Sequence, residues 1–188
     1  MSIKCVVVGD ENVGKTAMLF SYTKNMFPGA YVPTIVETFT TTVHISEKAY
    51  NLHIFDTAGQ ETCDRLRPLS YQKANLIIIC FSVVNPASFE NVKDKWFPEV
   101  RHYCPNTPFI LVGTQSDLRS DPEVNETLAN EKQTQVSFAA GFQLAKEYNA
   151  IRYVECSAYN QRGLKEIFDH GVIAVINQQK KKRKCVLL

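Results

Sequence analysis

VVVGDENVGKT, Val6 to Thr16, joins a short apolar, β-branched run to a loop with a glycine at each end and a Lys-Thr pair after the second. Gly9 to Thr16 satisfies G-x-x-x-x-G-K-[ST], and it sits where that pattern must sit, between a run that reads as a strand and a segment of helical length. In such a loop the backbone N–H groups from Glu11, Asn12, Val13, Gly14, Lys15, Thr16 and Ala17 face phosphate oxygens at a helix N-terminus. The Lys15 ammonium adds a point charge near the outer phosphates, and the Thr16 hydroxyl is suited to ligate Mg²⁺. A chance Gly-rich turn is the competing reading of the motif alone. Glu11 is the anomaly, a carboxylate inside a loop that gathers negative oxygens.

Outward from this loop, apolar runs recur at Ile3 to Val8, Leu76 to Phe81 and Phe109 to Gly113, with a shorter one at Arg152 to Glu155. Each is short and ends in polar or turn-forming residues, the pattern of buried strands. Segments of helical length lie between them at Lys15 to Asn25, Ala87 to Tyr103, Val136 to Tyr148 and Gly163 to Gln178. This alternation predicts an α/β fold with a doubly wound, mostly parallel sheet. Val36 to Ile45 and Tyr50 to Phe55 are joined only by Ser46 to Ala49, too short for a parallel crossover, so they predict a hairpin and one antiparallel edge strand. Ligands of such sheets bind at the carboxyl ends of the strands, so the loops after Val8, Phe55 and Gly113 are expected to converge. The polar stretch Ser120 to Gln135, with Ser120 or Asp121 as cap and Pro122 in the first turn, reads as an exposed extra helix, or by composition alone as a solvated loop.

The chain has 188 residues and is 45% hydrophobic, enough for one domain with a sizeable core. Its formal charge of +2 conceals an asymmetry. Lys180 to Lys184 carry +5, leaving sixteen basic against nineteen acidic residues elsewhere, or −3. The six cysteines form no C-x-x-C pair and have no histidine at metal-motif spacing, and no charged-plus-apolar leader opens the chain, so an intracellular, reducing setting is expected. No apolar stretch approaches the roughly 18 to 20 residues of a spanning helix.

Two further motifs follow predicted strands. In DTAGQE, Asp56 to Glu61, Asp56 emerges beside the phosphate loop and can bind Mg²⁺ directly or through water. Gly59 lets backbone approach the terminal phosphate, and Gln60 has both the donor and the acceptor needed to orient an attacking water. In GTQSD, Gly113 to Asp117, with Thr114 and Gln115 inside it, the Asp117 carboxylate can accept from guanine N1–H and its 2-amino group, a donor pair adenine lacks. Taken singly, the first would be an ordinary turn and Asp117 a helix cap or turn residue.

Together the loop at 9 to 16, DTAGQE, TQSD and ECSA (Glu155 to Ala158) stand in the order and spacing of the Ras-like small GTPases, and the resemblance covers nearly the whole chain. DRLRPLSY (Asp64 to Tyr71), TQSDLR (Thr114 to Arg119), the insert at 120 to 135 and the ending Cys185-Val186-Leu187-Leu188 resemble the Rho family, its Rac-like branch in particular. The resemblance implies a GTP-binding domain over 1–178, a tail over 179–188, GTP/GDP and Mg²⁺ as ligands, and a monomer. Tyr31 to Thr34 would be the first switch, Thr34 closing on Mg²⁺ and the terminal phosphate, and the second switch would run from Asp56 to about Tyr71. Effectors, exchange factors and activators would read residues near 27–45 and 56–73. Phe27 would cover the guanine edge, and Ala158, beside Ser157, would donate its N–H to O6. Water attacks the γ-phosphate, oriented by Gln60 with Lys15 and Thr34 in support and an arginine supplied by an activator.

Three positions depart from the family pattern. Gln115 replaces the usual lysine, and its stem can still cover the base. Tyr159 replaces the usual leucine, a difference to which little weight attaches. Glu11 replaces a glycine and crowds the place where Gln60, water and arginine must meet, so slow hydrolysis and a largely GTP-bound resting state are expected. A switch that turns over and a GTP-held recruiting module both remain open. In the tail, Cys185 fourth from the end with a terminal leucine matches C-a-a-X with geranylgeranyl preference. Prenylated Cys185 and Lys180 to Lys184 together predict attachment to the cytoplasmic face of a membrane, the plasma membrane first, with a cytosolic pool. The nucleic-acid reading of the basic run has no groove-fitting or stacking motif behind it, so no nucleic acid is expected.

Overall fold

The computed structural model describes residues 1–29, 36–60 and 65–186. Its strands are β1 (Ser2–Gly9), β2 (Val36–Ile45), β3 (Lys48–Thr57), β4 (Leu76–Ser82), β5 (Phe109–Thr114) and β6 (Tyr153–Glu155). They form one sheet in the order β2-β3-β1-β4-β5-β6. Only the β2–β3 pair is antiparallel, and the other four pairs are parallel, so the doubly wound sheet with one antiparallel edge strand is as expected. Every residue of β4 is buried, because helices cover both faces of the sheet. Alternate residues serve different cores: Ile3, Cys5 and Val7 pack with Met18 and Phe168, whereas Val6 and Val8 pack with Trp96 and Leu144.

Helix α1 (Lys15–Lys24) starts directly from the phosphate loop, and its last turn closes at Asn25 in the left-handed region. The hairpin turn is tighter than expected. Lys48 already pairs with Ile45, leaving only Ser46 and Glu47, at φ 46° and 65°. A two-residue turn with both φ positive matches the twist of the flanking strands, and its usual asparagine-glycine signature is missing here.

The helix expected over Ala87 to Tyr103 is divided. Helix α3 (Pro86–Asn91) passes into a π-helical turn, Val92–Trp96, and then into α4 (Phe97–Tyr103). The Phe97 N–H donates to Val92 O, five residues back. Pro98 explains the widening, since it has no N–H for a regular α bond and its ring clashes with the carbonyl four residues back. A four-residue helix α2 (Pro68–Tyr71) and a 3₁₀ stretch over Ser116–Ser120 are too short to leave a periodic pattern and were not expected.

The insert is a helix, α5 (Pro122–Asn130), shorter than 120–135, and of the two candidate caps it is Asp121 that serves, accepting from Glu123 N and Val124 N at 3.0 Å each. Ser137 caps α6 (Phe138–Glu147). The last helix, α7 (Leu164–Val186), continues past the expected end at Gln178 through the basic run. Lysine and arginine are good helix formers, favoured near a C-terminus, and neither glycine nor proline interrupts this stretch. No helix among the described residues is long and apolar enough to cross a membrane.

Candidate functional site

The loops after β1, β3 and β5 do converge. Gly9 has φ 145°, and a Cβ there would lie 2.2 Å from Cys80 O, so only glycine lets the chain leave β1 beside β4. Asn12 and Gly14 also take positive φ, the left-handed conformation that in anion-binding loops lets successive N–H groups share one concavity. Lys15 is buried, and its ammonium donates to Gly9 O at 2.9 Å and Asp10 O at 2.6 Å. Burial lowers its pKa, opposed by the nearby Asp56 carboxylate. Phosphate oxygens are the partners that would repay that desolvation.

The Asp10 carboxylate is turned away from this face. It accepts from Asn91 Nδ2 and Trp96 Nε1, both at 2.6 Å, one residue from α3 and one from the π-helical turn. Neither contact was foreseen from sequence. Trp96 in turn lies beneath the Arg67 guanidinium, 4.7 Å from the ring centroid. Arg67 is buried, donates to Ala58 O at 2.9 Å and pairs with Glu99 at 2.7 Å, which also accepts from Tyr71 Oη at 2.5 Å. These bonds fasten the region after DTAG to α4.

The Thr16 hydroxyl donates to Asp56 Oδ2 at 2.6 Å, and Asp56 is fully buried. Thr57 Oγ1 donates to Val7 O at 2.7 Å, holding the end of β3 against β1. A hydroxyl and a single carboxylate suit Mg²⁺, which binds through one or two carboxylates together with substrate phosphates and water. Among the described residues no cluster of three or more His, Cys, Asp or Glu forms an all-protein metal cage. Gly59 rests on the phosphate loop, since a Cβ there would lie 2.3 Å from Asp10 C and from Glu11 N. Glu11 and Gln60 are both exposed beside this contact. Thr34, with Tyr31, lies outside the described residues, as do Glu61 and Asp64.

A cavity of about 260 Å³ opens next to the loop, with Ala17, Phe27, Gln115, Asp117, Ala158 and Tyr159 among its lining. Asp117 sits inside the 3₁₀ stretch, whose N-cap is Gln115, and α5 is capped by Asp121, so Asp117 caps neither helix and of its two alternatives the turn residue remains. Gln115 Nε2 donates to Asn12 O at 3.3 Å, and Thr114 Oγ1 lies within bonding reach of Val13 O and Phe81 O, so the loop after β5 is tied to the phosphate loop. Ser116 N donates to Cys156 O and Cys156 N to Gly113 O, tying it also to the loop after β6. Arg119 and Glu155 complete that connection with a two-pronged ion pair. Ser157 is buried, and its Oγ accepts from Asn160 N at 3.1 Å, so it shapes the turn that presents Ala158. Tyr159, passed over in the sequence, lines the cavity and meets Phe27 edge to face. Residues 4–177 match the model of the Ras family.

Proposed function

The chain belongs to the Ras family of small GTPases, and on that premise we propose that it is a Rho-type member of the Rac-like branch, with a GTP-binding domain over 1–178 and a membrane-addressed tail. The observation that carries the nucleotide site is the Thr16–Asp56 hydrogen bond of 2.6 Å beside buried Lys15, which joins the phosphate loop to DTAGQ. Helix α5, within the polar insert, supports the Rho-type assignment.

Lys15 and the backbone N–H groups from Glu11 to Ala17 hold the phosphates. Thr16 and Asp56, joined by Thr34, would hold Mg²⁺, which when bound neutralises charge on the β- and γ-oxygens. Asp117 accepts from the guanine edge, the Ala158 N–H donates to O6, and the stem of Gln115, beside Thr114, lies along the base. Gly59 brings backbone to the terminal phosphate. Gln60 orients a water whose oxygen bonds to the γ-phosphorus as the bond to the β,γ-bridging oxygen breaks, leaving GDP and inorganic phosphate. Partners read the segments near 27–45 and 56–73 according to whether GTP or GDP is bound.

Glu11 modifies this scheme. At about 6 Å from a phosphate oxygen, with an effective dielectric near 20, a carboxylate feels roughly 3 kcal/mol of repulsion. Its exposure lets it swing outward, so nucleotide binding survives. Its backbone, however, is the surface on which Gly59 rests, so its side chain stands beside the segment that must place Gln60 and admit an activator's arginine. A misplacement near 1 Å costs about 100-fold. The protein is therefore slow to hydrolyse GTP and rests largely in the GTP state, which makes a recruiting module controlled by abundance the second reading.

Chromatography of nucleotide released from freshly purified protein tests both levels. GTP in excess over GDP is expected. An adenine nucleotide would sink the guanine assignment, whereas mostly GDP would sink only the Glu11 argument. For the tail, Cys185→Ser is expected to abolish membrane fractionation, while neutralising Lys180 to Lys184 weakens it in a salt-dependent way, each cation near an anionic leaflet being worth about 1 kcal/mol.

A further inference from the structure

We propose that Tyr159 and Phe27 form an edge-to-face aromatic clamp on the nucleotide base, and that Tyr159 sets how slowly bound nucleotide leaves. The inference rests on the reading of the 260 Å³ cavity as the guanine site. It goes beyond that reading by giving a binding role to a residue that the family resemblance left without one.

The two rings line the same cavity, with centroids 5.7 Å apart and planes at 79°. A flat base lying along the face of one ring meets the edge of the other. Both contacts are favourable, because an aromatic face is negative and an edge positive. Tyr159 is 71% exposed and Phe27 47%, so each has apolar area left for a ligand to cover. A leucine at 159 would contribute apolar area but neither a face nor an edge.

The turn that carries Tyr159 is closed by its own hydrogen bonds, independently of any ligand. Ser157 N donates to Arg162 O at 3.0 Å and Arg162 N donates to Asn160 Oδ1 at 3.1 Å. Gln161 at φ 62° and Gly163 at φ 75° finish the turn, and a Cβ at Gly163 would lie 2.3 Å from Glu155 O. The backbone under the ring is thus fixed from both sides, and little ordering entropy is lost when a base binds. Phe27 lies two residues past Asn25, the C-cap of α1, at the start of the region near 27–45 that partners are proposed to read. The clamp therefore bridges a rigid wall of the pocket and the part of the chain that partners read.

The test is release of N-methylanthraniloyl-GDP from the full chain, followed by fluorescence after addition of excess GDP, with Mg²⁺ and with EDTA. Tyr159→Leu is expected to speed release by about 2- to 10-fold, the factor an aromatic pair is worth, and Tyr159→Phe to restore the slow rate. Phe27→Leu should speed release as well. The double variant should fall short of the product of the two single effects, since either change removes the pair. Equal release from wild type and Tyr159→Leu would overturn the clamp while leaving the guanine site intact. Acceleration by Tyr159→Phe as large as by leucine, or strictly multiplicative single effects, would also overturn it. If wild type binds no guanine nucleotide saturably, the clamp and the underlying site assignment fall together.

Discussion

The two ends of the site are built from different materials. At the proposed phosphate end backbone packs on backbone around Lys15 and Thr16, with no spare space: Gly9 and Gly59 would each place a Cβ within 2.3 Å of another segment's backbone. At the proposed base end an open cavity is lined largely by side chains, with Asp117 and Gln115 half-buried and Phe27 and Tyr159 exposed. A backbone site tolerates few sequences, because every residue but proline carries the same N–H and only glycine permits the close approaches. A side-chain site can be altered one residue at a time. The departures at Gln115 and Tyr159 fall at the permissive end, and Glu11, the departure at the strict end, sits where its side chain can point to solvent.

This contrast can be broken by experiment. The largest effect is expected from Asp117→Asn, which leaves the pocket shape intact but removes the acceptor proposed for the guanine donors. The preference for GTP over xanthosine triphosphate should fall by about 10⁴-fold, read from competition binding. Unchanged affinities for both would place the base elsewhere. Next is Glu11→Gly, expected to raise activator-stimulated single-turnover hydrolysis by about 10³-fold, the low end of an arginine's contribution. Equal rates in the two proteins would show that the strict end has accommodated a side chain without penalty.

A smaller effect tests the glycine argument itself. In the Glu11→Gly background, Gly59→Ala should slow hydrolysis by about 100-fold, because the segment carrying Gln60 must move by about 1 Å. Gly29→Ala, with nothing within 4 Å of its Cβ, should leave the rate alone. The smallest effect is on pH dependence. Because burial lowers the Lys15 pKa, the folded nucleotide-free protein loses this proton below 10.5 while the unfolded chain keeps it. The unfolded state then binds more protons, so the Lys15 contribution to stability rises with pH between the lowered value and 10.5. Bound phosphates favour the charged ammonium and should flatten that rise, which denaturant titrations with and without GDP would detect against a Lys15→Met control.

The strict end was also the legible end. G-x-x-x-x-G-K-T is readable because its geometry depends on backbone, and backbone demands leave glycines at fixed spacing. The parallel sheet was readable from apolar runs that are buried on both faces. The hairpin was readable as a hairpin but not in its turn, since Ser46 and Glu47 take positive φ without the residues that usually announce it. Contacts that depend on tertiary folding left no local trace. Trp96 is 86 positions from Asp10, and Arg67 is 32 from Glu99. Tyr159 adjoined a recognised motif, yet its meaning came from Phe27, brought to it by α1 and the turn of β6 into α7.

The hydrogen bond from Trp96 to Asp10 has a practical optical consequence. Trp96 is the chain's sole tryptophan, it is fully buried, and it lies between the phosphate loop and the Arg67 guanidinium. Its indole emission reports on one place in the molecule, where the loop proposed to hold phosphate meets the segment that follows DTAG. Any rearrangement there on exchange of GDP for GTP alters the electric field across the ring and with it the emission maximum. The unlabelled protein thus carries its own fluorophore at the junction of loop and switch, and exchange or hydrolysis can be followed without a modified nucleotide.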